Sequence, residues 1–135
     1  MKELVIEAKP ENLDKVLSFV DQSMDEFGSS QKAKMQMDIA VEEIFINIAN
    51  YAYRPETGYA FIHLETSDDP TTVTVTFKDT GMPYDPLAKP DPDITLSAEE
   101  RQIGGLGIFM AKKSVDDIRY EYKNGENILS ISKKL

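Results

Sequence analysis

The sequence contains no cysteine and no tryptophan, has a single histidine, His63, and sets 15 Lys and Arg against 24 Asp and Glu. Without thiols there is neither a disulfide framework nor a thiolate metal site, which fits a reducing compartment. One histidine excludes a centre built on several His ligands. It also excludes a Ser/His pair elsewhere in the chain, and the alternating run "YAFIHLETS" reads His63 as a half-exposed strand residue. The net charge of −9 speaks against coating nucleic acid, which rewards clustered Lys and Arg, and serves solubility first. No apolar run is long enough to cross a bilayer, and the opening "MKELVIEAKPENLD" lacks the apolar segment of a signal peptide. A cytoplasmic protein with no membrane span and no direct nucleic-acid partner is expected.

What is present is ordinary globular composition. The chain has 135 residues, 41% hydrophobic and 29% charged, enough to bury a core as one domain over residues 1–135. "KELVIEAK" alternates as a first strand. "PENLDKVLSFVDQSMDEFG" repeats apolar positions at helical spacing and stops at Gly28, and "SSQKAKMQMDIAVEEIFINIANYAY" continues helical from a Ser29 or Ser30 cap until Arg54 and Pro55. "GYAFIHLETS" and "TTVTVTFKD" read as two strands. The stretch from Thr80 to Gly105 holds four of the seven prolines and reads as a long lid-like or binding loop. "GLGIFMAKKSV" reads as a helix, and "DDIRYEYKN" with "ENILSISKKL" as a hairpin turning at Asn124-Gly125. This order predicts a two-layer α+β domain, a mostly antiparallel sheet with helices on one face.

Three segments carry chemistry. In "VEEIFINIANYAY", placing residues about 100° apart puts Met37, Val41, Ile44, Phe45, Ile48 and Ala52 on a core face and Gln36, Glu43, Asn47 and Asn50 on the other side. A polar stripe usually faces water. Here Ile39, Ala40, Ile46, Ala49 and Tyr53 crowd it, and a carboxylate in such surroundings needs a charged or hydrogen-bonding partner. In "FKDTGMPYDP", Asp79 at a strand end can accept from the amine of an adenine, with Gly81 leaving room for a base; an ordinary Asp-Thr-Gly turn reads the same way. In "GGLGIFMAKK", Gly104, Gly105 and Gly107 precede a helix whose free N–H groups could cradle phosphate, although the spacing matches neither common phosphate-binding pattern.

Together, in this order and spacing, these segments resemble the GHKL family of ATP-binding domains, which implies its Bergerat-type fold. The resemblance runs from "KELVIEAK" to the C-terminus and is closest to the small serine kinases that act as bacterial anti-sigma factors. It implies Glu43 as general base, Asn47 as Mg2+ ligand with Asn50 on the nucleotide side, Asp79 as acceptor for the adenine amine and Gly81 as the glycine beside it. It implies Gly104, Gly105 and Gly107 as the phosphate-binding turn, flanked in the nucleotide site by Leu106 and Ile108, and residues 86–103 as the ATP lid. The chain departs from the family in two places: Tyr51 stands where many relatives have His, and Ile44 where Ala commonly follows the Glu.

The function so implied is an ATP- and Mg2+-dependent protein serine/threonine kinase. As a homodimer it holds a sigma factor inactive and phosphorylates an antagonist protein. A nucleotide-gated binding module of the same fold, with little kinase activity, is the alternative. The ATP-binding half of a histidine kinase is disfavoured, because the residues ahead of Glu43 are all accounted for by the fold and leave no phosphoacceptor helix pair.

Overall fold

The computed structural model describes residues 1–53, 56–69, 71–87 and 105–135. Strand β1 spans Lys2–Glu7. Pro10, whose fixed φ and missing N–H suit a helix start, opens a 3-10 turn over Pro10–Asn12. Helix α1 follows, Leu13–Glu26, and the chain leaves it through Gly28 at φ 81, a left-handed conformation that glycine adopts without strain. Helix α2, Gln31–Asn47, is capped by Ser30, whose side chain accepts from the Ala33 amide at 3.1 Å. It runs directly into one turn of π-helix, Ile48–Ala52, so the expected helix is present with its last turn widened.

The remaining elements are β2 (Tyr59–Thr66), β3 (Thr72–Asp79), α3 (Gly105–Ser114), β4 (Asp117–Lys123) and β5 (Glu126–Lys134). Asn124 and Gly125 make the β4–β5 turn at φ 55 and 80, the two-residue primed geometry that Asn-Gly favours.

The sheet order is β1-β2-β3-β5-β4, and every pairing is antiparallel. One face carries Ile62, Leu64, Val73, Val75, Phe77, Leu129 and Ile131, all buried. The other carries hydroxyl pairs, Thr74 with Ser132 at 3.0 Å and Thr76 with Ser130 at 3.1 Å, the half-buried His63, and exposed Val5 and Phe61. The helices therefore cover one face, as the α+β pattern predicts. Helix α2 packs against both α1 and α3, and its Met37, Val41, Ile44 and Phe45 are buried in the core shared with the sheet. Neighbours on three sides explain a helix that is apolar nearly all round.

The α1–α2 contact contains one unfavourable element. Among the described residues, Asp21 and Asp38 each bury an Oδ1 with no hydrogen-bond partner. Burial first, then the neighbouring Asp21, push the Asp38 carboxyl up to about 7, against the opposing pull of Lys34. Because its folded pKa lies above the ordinary 3.8, the folded state binds this proton more tightly than the unfolded chain. Stability from this group is therefore lost as pH rises from the ordinary value through about 7. Asp38→Asn should raise stability more at pH 8 than at pH 5, as read by urea unfolding at both values. An equal change at the two pH values would show that the Asp38 proton does not contribute.

Candidate functional site

Strand β3 ends at Asp79, paired in register with Asn127 of β5. The parity that points Val75 and Phe77 into the core also points Asp79 inward, where it is 5% exposed. Its Oδ1 accepts from the Gly81 amide at 3.0 Å and from Asn127 Nδ2 at 2.9 Å. Among the described residues no bond reaches Oδ2. Burial raises the Asp79 pKa, while the two hydrogen bonds to the charged form oppose that rise.

The loop after Asp79 is pressed onto the end of α2. The Met82 amide donates to the Ala52 carbonyl at 2.9 Å, and a Cβ on Gly81 would lie 2.1 Å from that same carbonyl oxygen. Gly81 is thus required by the backbone of the π turn behind it, a demand separate from the expectation that it leaves room for a base. Tyr53 ties the same corner together. Its hydroxyl donates to the Tyr59 carbonyl at 2.6 Å and accepts from the Thr80 amide at 2.9 Å. Its ring lies over Gly58, where a Cβ would come within 2.3 Å of it.

These contacts frame an open cleft of about 480 Å3, counting its mouth. Helix α2 and the π turn contribute Ile44, Asn47, Ile48, Tyr51 and Ala52 to it. The sheet contributes Phe77, Asp79, Tyr120, Asn127 and Leu129. Met82, Tyr84 and Pro86 close it from the loop, and Ile108 from α3. The walls are apolar except for a few convergent polar groups, chief among them Asp79 and Asn47.

Of the predicted site residues, Asn47, Asp79 and Ile108 come together in this wall. Tyr51, where the resemblance leads one to expect His, also lines it. Glu43 lies one turn before Asn47, half-buried and outside the lining, and burial followed by the Glu42 charge raises its pKa. Asn50 is half-buried on the π turn and is not a lining residue. The cleft therefore meets α2 where the polar stripe borders the core face, so only Asn47 of the stripe lines it. The π turn, with its wider i→i+5 spacing, also breaks the regular wheel on which Asn50 and Asn47 coincide. Gly105, Leu106 and Gly107 lie in the first turn of α3. Gly104 and the expected lid from residue 88 to 103 lie outside the described residues.

Sequence reasoning missed Asn127, Tyr120 and Tyr84. A signal for the first was present: Asn127 shares strand parity with Leu129 and Ile131, and a carboxamide on the apolar face of a strand requires buried partners.

A family model for the histidine kinase-like ATPase domain matches residues 6–133. The chain belongs to this family. The chain is also similar to proteins named as protein kinases. The serine/threonine-protein kinase BtrW of Bordetella bronchiseptica is 26% identical over 104 residues, 76% of this chain and 72% of that one. The serine-protein kinase RsbW of Listeria monocytogenes is 28% identical over 107 residues, 76% of this chain and 67% of that one. The fold is shared with a crystal structure of RsbU and RsbW domains from Mycobacterium tuberculosis, at a TM-score of 0.65 and 15% identity. That match covers 100% of this chain and 33% of the larger one.

The Gly81 contact yields a direct test. Gly81→Ala should destabilise the protein by about 1–3 kcal/mol, the usual cost of overpacking, as measured by denaturant unfolding. It should also weaken nucleotide binding by displacing the loop that bonds Asp79. A fully stable variant with unchanged binding would show that the loop is not locked against Ala52.

Proposed function

We propose that the chain is an ATP-dependent protein serine/threonine kinase of the anti-sigma type, which binds a sigma factor and phosphorylates an antagonist protein. The observation that carries the nucleotide part is Asp79. A buried carboxylate with one oxygen committed to the protein and the other uncommitted among the described residues, in an apolar cleft, suits a flat base carrying an exocyclic amine. Ile44, Ile48, Met82 and Ile108 supply the apolar surface for such a base, and Oδ2 supplies an acceptor for its N–H. The kinase part is supported by the names of the relatives and by Glu43, one turn from Asn47.

The donor set fits Mg2+ in the manner usual for nucleotide enzymes. Among the described residues there is no group of three or more His, Asp or Glu side chains that could hold a metal. Asn47, which makes no side-chain hydrogen bond among the described residues, would give one amide oxygen. The other ligands would come from phosphate and water. Bound Mg-ATP supplies the phosphoryl group and the charge neutralisation for its transfer.

The part left to the chain is a proton. Glu43, with its pKa raised by burial, accepts the proton of a serine or threonine hydroxyl as that oxygen attacks. A carboxylate shifted toward neutrality is a stronger base than an exposed one and remains ionised only above its raised pKa. Transfer should therefore rise with pH through that value. A cytoplasmic site of action and assembly as a homodimer complete the proposal. Among the described residues no helix is long and apolar enough to cross a membrane.

Glu43→Ala should leave Mg-ATP binding nearly intact and lower phosphorylation of the antagonist by about 10²–10⁴-fold, the usual contribution of a general base. The exposed Glu42 is the control, and Glu42→Ala should transfer phosphate normally. Equal transfer by wild type and Glu43→Ala would remove Glu43 as the base. If wild type binds nucleotide and partner but transfers nothing, the chain is a nucleotide-gated binder.

A further inference from the structure

Asn127 contributes a buried side chain to the cleft wall, 6% exposed, and is spent entirely within the protein. Its Nδ2 donates to Asp79 Oδ1 at 2.9 Å and to the Met82 carbonyl at 2.9 Å. Its Oδ1 accepts from the Tyr84 amide at 3.2 Å and from the Tyr120 hydroxyl. A carboxamide has two donor hydrogens and two acceptor lone pairs, and all four are filled. The orientation of the amide is also determined, because turning it over would set its oxygen against Asp79 and the Met82 carbonyl and its NH2 against the Tyr84 N–H. Asn127 thus joins β5, β4 and the loop after β3 at the carboxylate, and it retains no hydrogen-bonding capacity for a ligand.

We propose that Asn127 is the positioning residue of the nucleotide site: it makes no hydrogen bond to the base, and by occupying Oδ1 of Asp79 it leaves Oδ2 as the acceptor presented to the cleft. The inference rests on the ATP reading above and deepens it. Two donors on one oxygen, Asn127 Nδ2 and the Gly81 amide, restrain rotation of the carboxylate and favour its ionised form. The Met82 and Tyr84 bonds do a second task, since they hold the loop whose side chains form the apolar wall. Tyr120 on β4, Tyr84 in the loop and Tyr51 on the π turn share the cleft lining with Asp79, and Asp85 and Asp79 both act on the Tyr120 phenol. Among the described residues the groups that favour the ionised form of Asp79 are the neutral donors Asn127 and Gly81, so loss of one matters.

The variants are Asn127→Leu, which removes every donor and acceptor, and Asn127→Thr, which keeps one hydroxyl donor on a residue suited to a strand. Tyr120→Phe is the mild third variant, removing one bond to Asn127 without opening the core. Two readouts are taken: the titration of the Asp79 carboxyl by carbon-13 NMR in the ligand-free protein, and the Kd for ATP at pH 6 and pH 8. In Asn127→Leu the Asp79 carboxyl should titrate at higher pH than in wild type. ATP should bind about 10-fold or more weakly at pH 8, the typical loss for a hydrogen bond to a charged group, and the loss should grow at pH 6. Asn127→Thr should recover part of both, and Tyr120→Phe should shift both slightly in the direction of Leu.

Unchanged titration of Asp79 in the folded variants would overturn the proposal, as would wild-type ATP affinity in Asn127→Leu. If Asn127→Leu does not fold, Asn127→Thr and Tyr120→Phe decide by the same readouts. The two readings can fail separately. Wild type that binds no ATP, with an Asp79 titration that still moves in the variants, overturns the ATP site and leaves Asn127 as the group that positions the carboxylate.

Discussion

A carboxylate taken out of water at the end of a core strand is the constraint around which the rest of this structure is arranged. Asp79 follows Val75 and Phe77 in strand parity and so points into the interior, where an isolated charge would cost several kcal/mol or neutralise itself. The chain meets that cost with two donors on one oxygen. Each donor imposes a further demand. The Gly81 amide is in place only because the loop lies against the π turn, which forbids any side chain at 81. The Asn127 amide is in place only because Tyr120, Tyr84 and Met82 hold it. A polar interior of this kind is favourable when every member is satisfied and costly when one is missing, so the Asp79 oxygen left without a bond among the described residues is where the proposed base would dock.

The same logic connects the two ends of the site. Ala52, in the last position of the π turn, accepts from Met82, so the helix bearing Glu43 and Asn47 is tied to the loop that follows Asp79. Tyr53 reinforces it by bonding both β2 and Thr80. A π turn at such a junction is a common mark of functional sites. Here it supplies a carbonyl for the loop to bond, where a regular helix would keep that carbonyl for its own ladder or leave it to solvent. The proposed metal ligand and the proposed base acceptor are thereby set relative to each other, and preorganisation of that kind lowers the ordering cost of binding.

Much of this was legible in the residues. Period-two alternation located the first three strands, Asn124-Gly125 located the hairpin of the last two, and Asn47 and Asp79, singled out in the sequence, both line the cleft while Glu43 does not. The parts that were not legible depend on contacts between distant segments. No local pattern distinguishes a glycine that admits a ligand from one that avoids a carbonyl 29 positions earlier in the chain, so the reason for Gly81 emerged only from its approach to Ala52. The wheel misplaced Asn50 because a π turn has no sequence signature of its own. Asn127 was overlooked because its strand reads well as half of a hairpin. Its oddity, a carboxamide in register with core residues, becomes visible once Asp79 is seen to be its cross-strand partner.

The central claim is that Asp79 Oδ2 selects a base by accepting from an exocyclic amine. Calorimetric titration of the wild-type protein with Mg-ATP and with Mg-inosine triphosphate tests it most directly, because the two ligands have the same triphosphate, sugar and ring shape and differ where the amine is replaced by a carbonyl. The account predicts that ATP binds and that the inosine nucleotide binds at least about 10-fold more weakly, since a second acceptor would face the carboxylate and leave it unpaired. Equal affinity for the two, or no affinity for ATP, would contradict it.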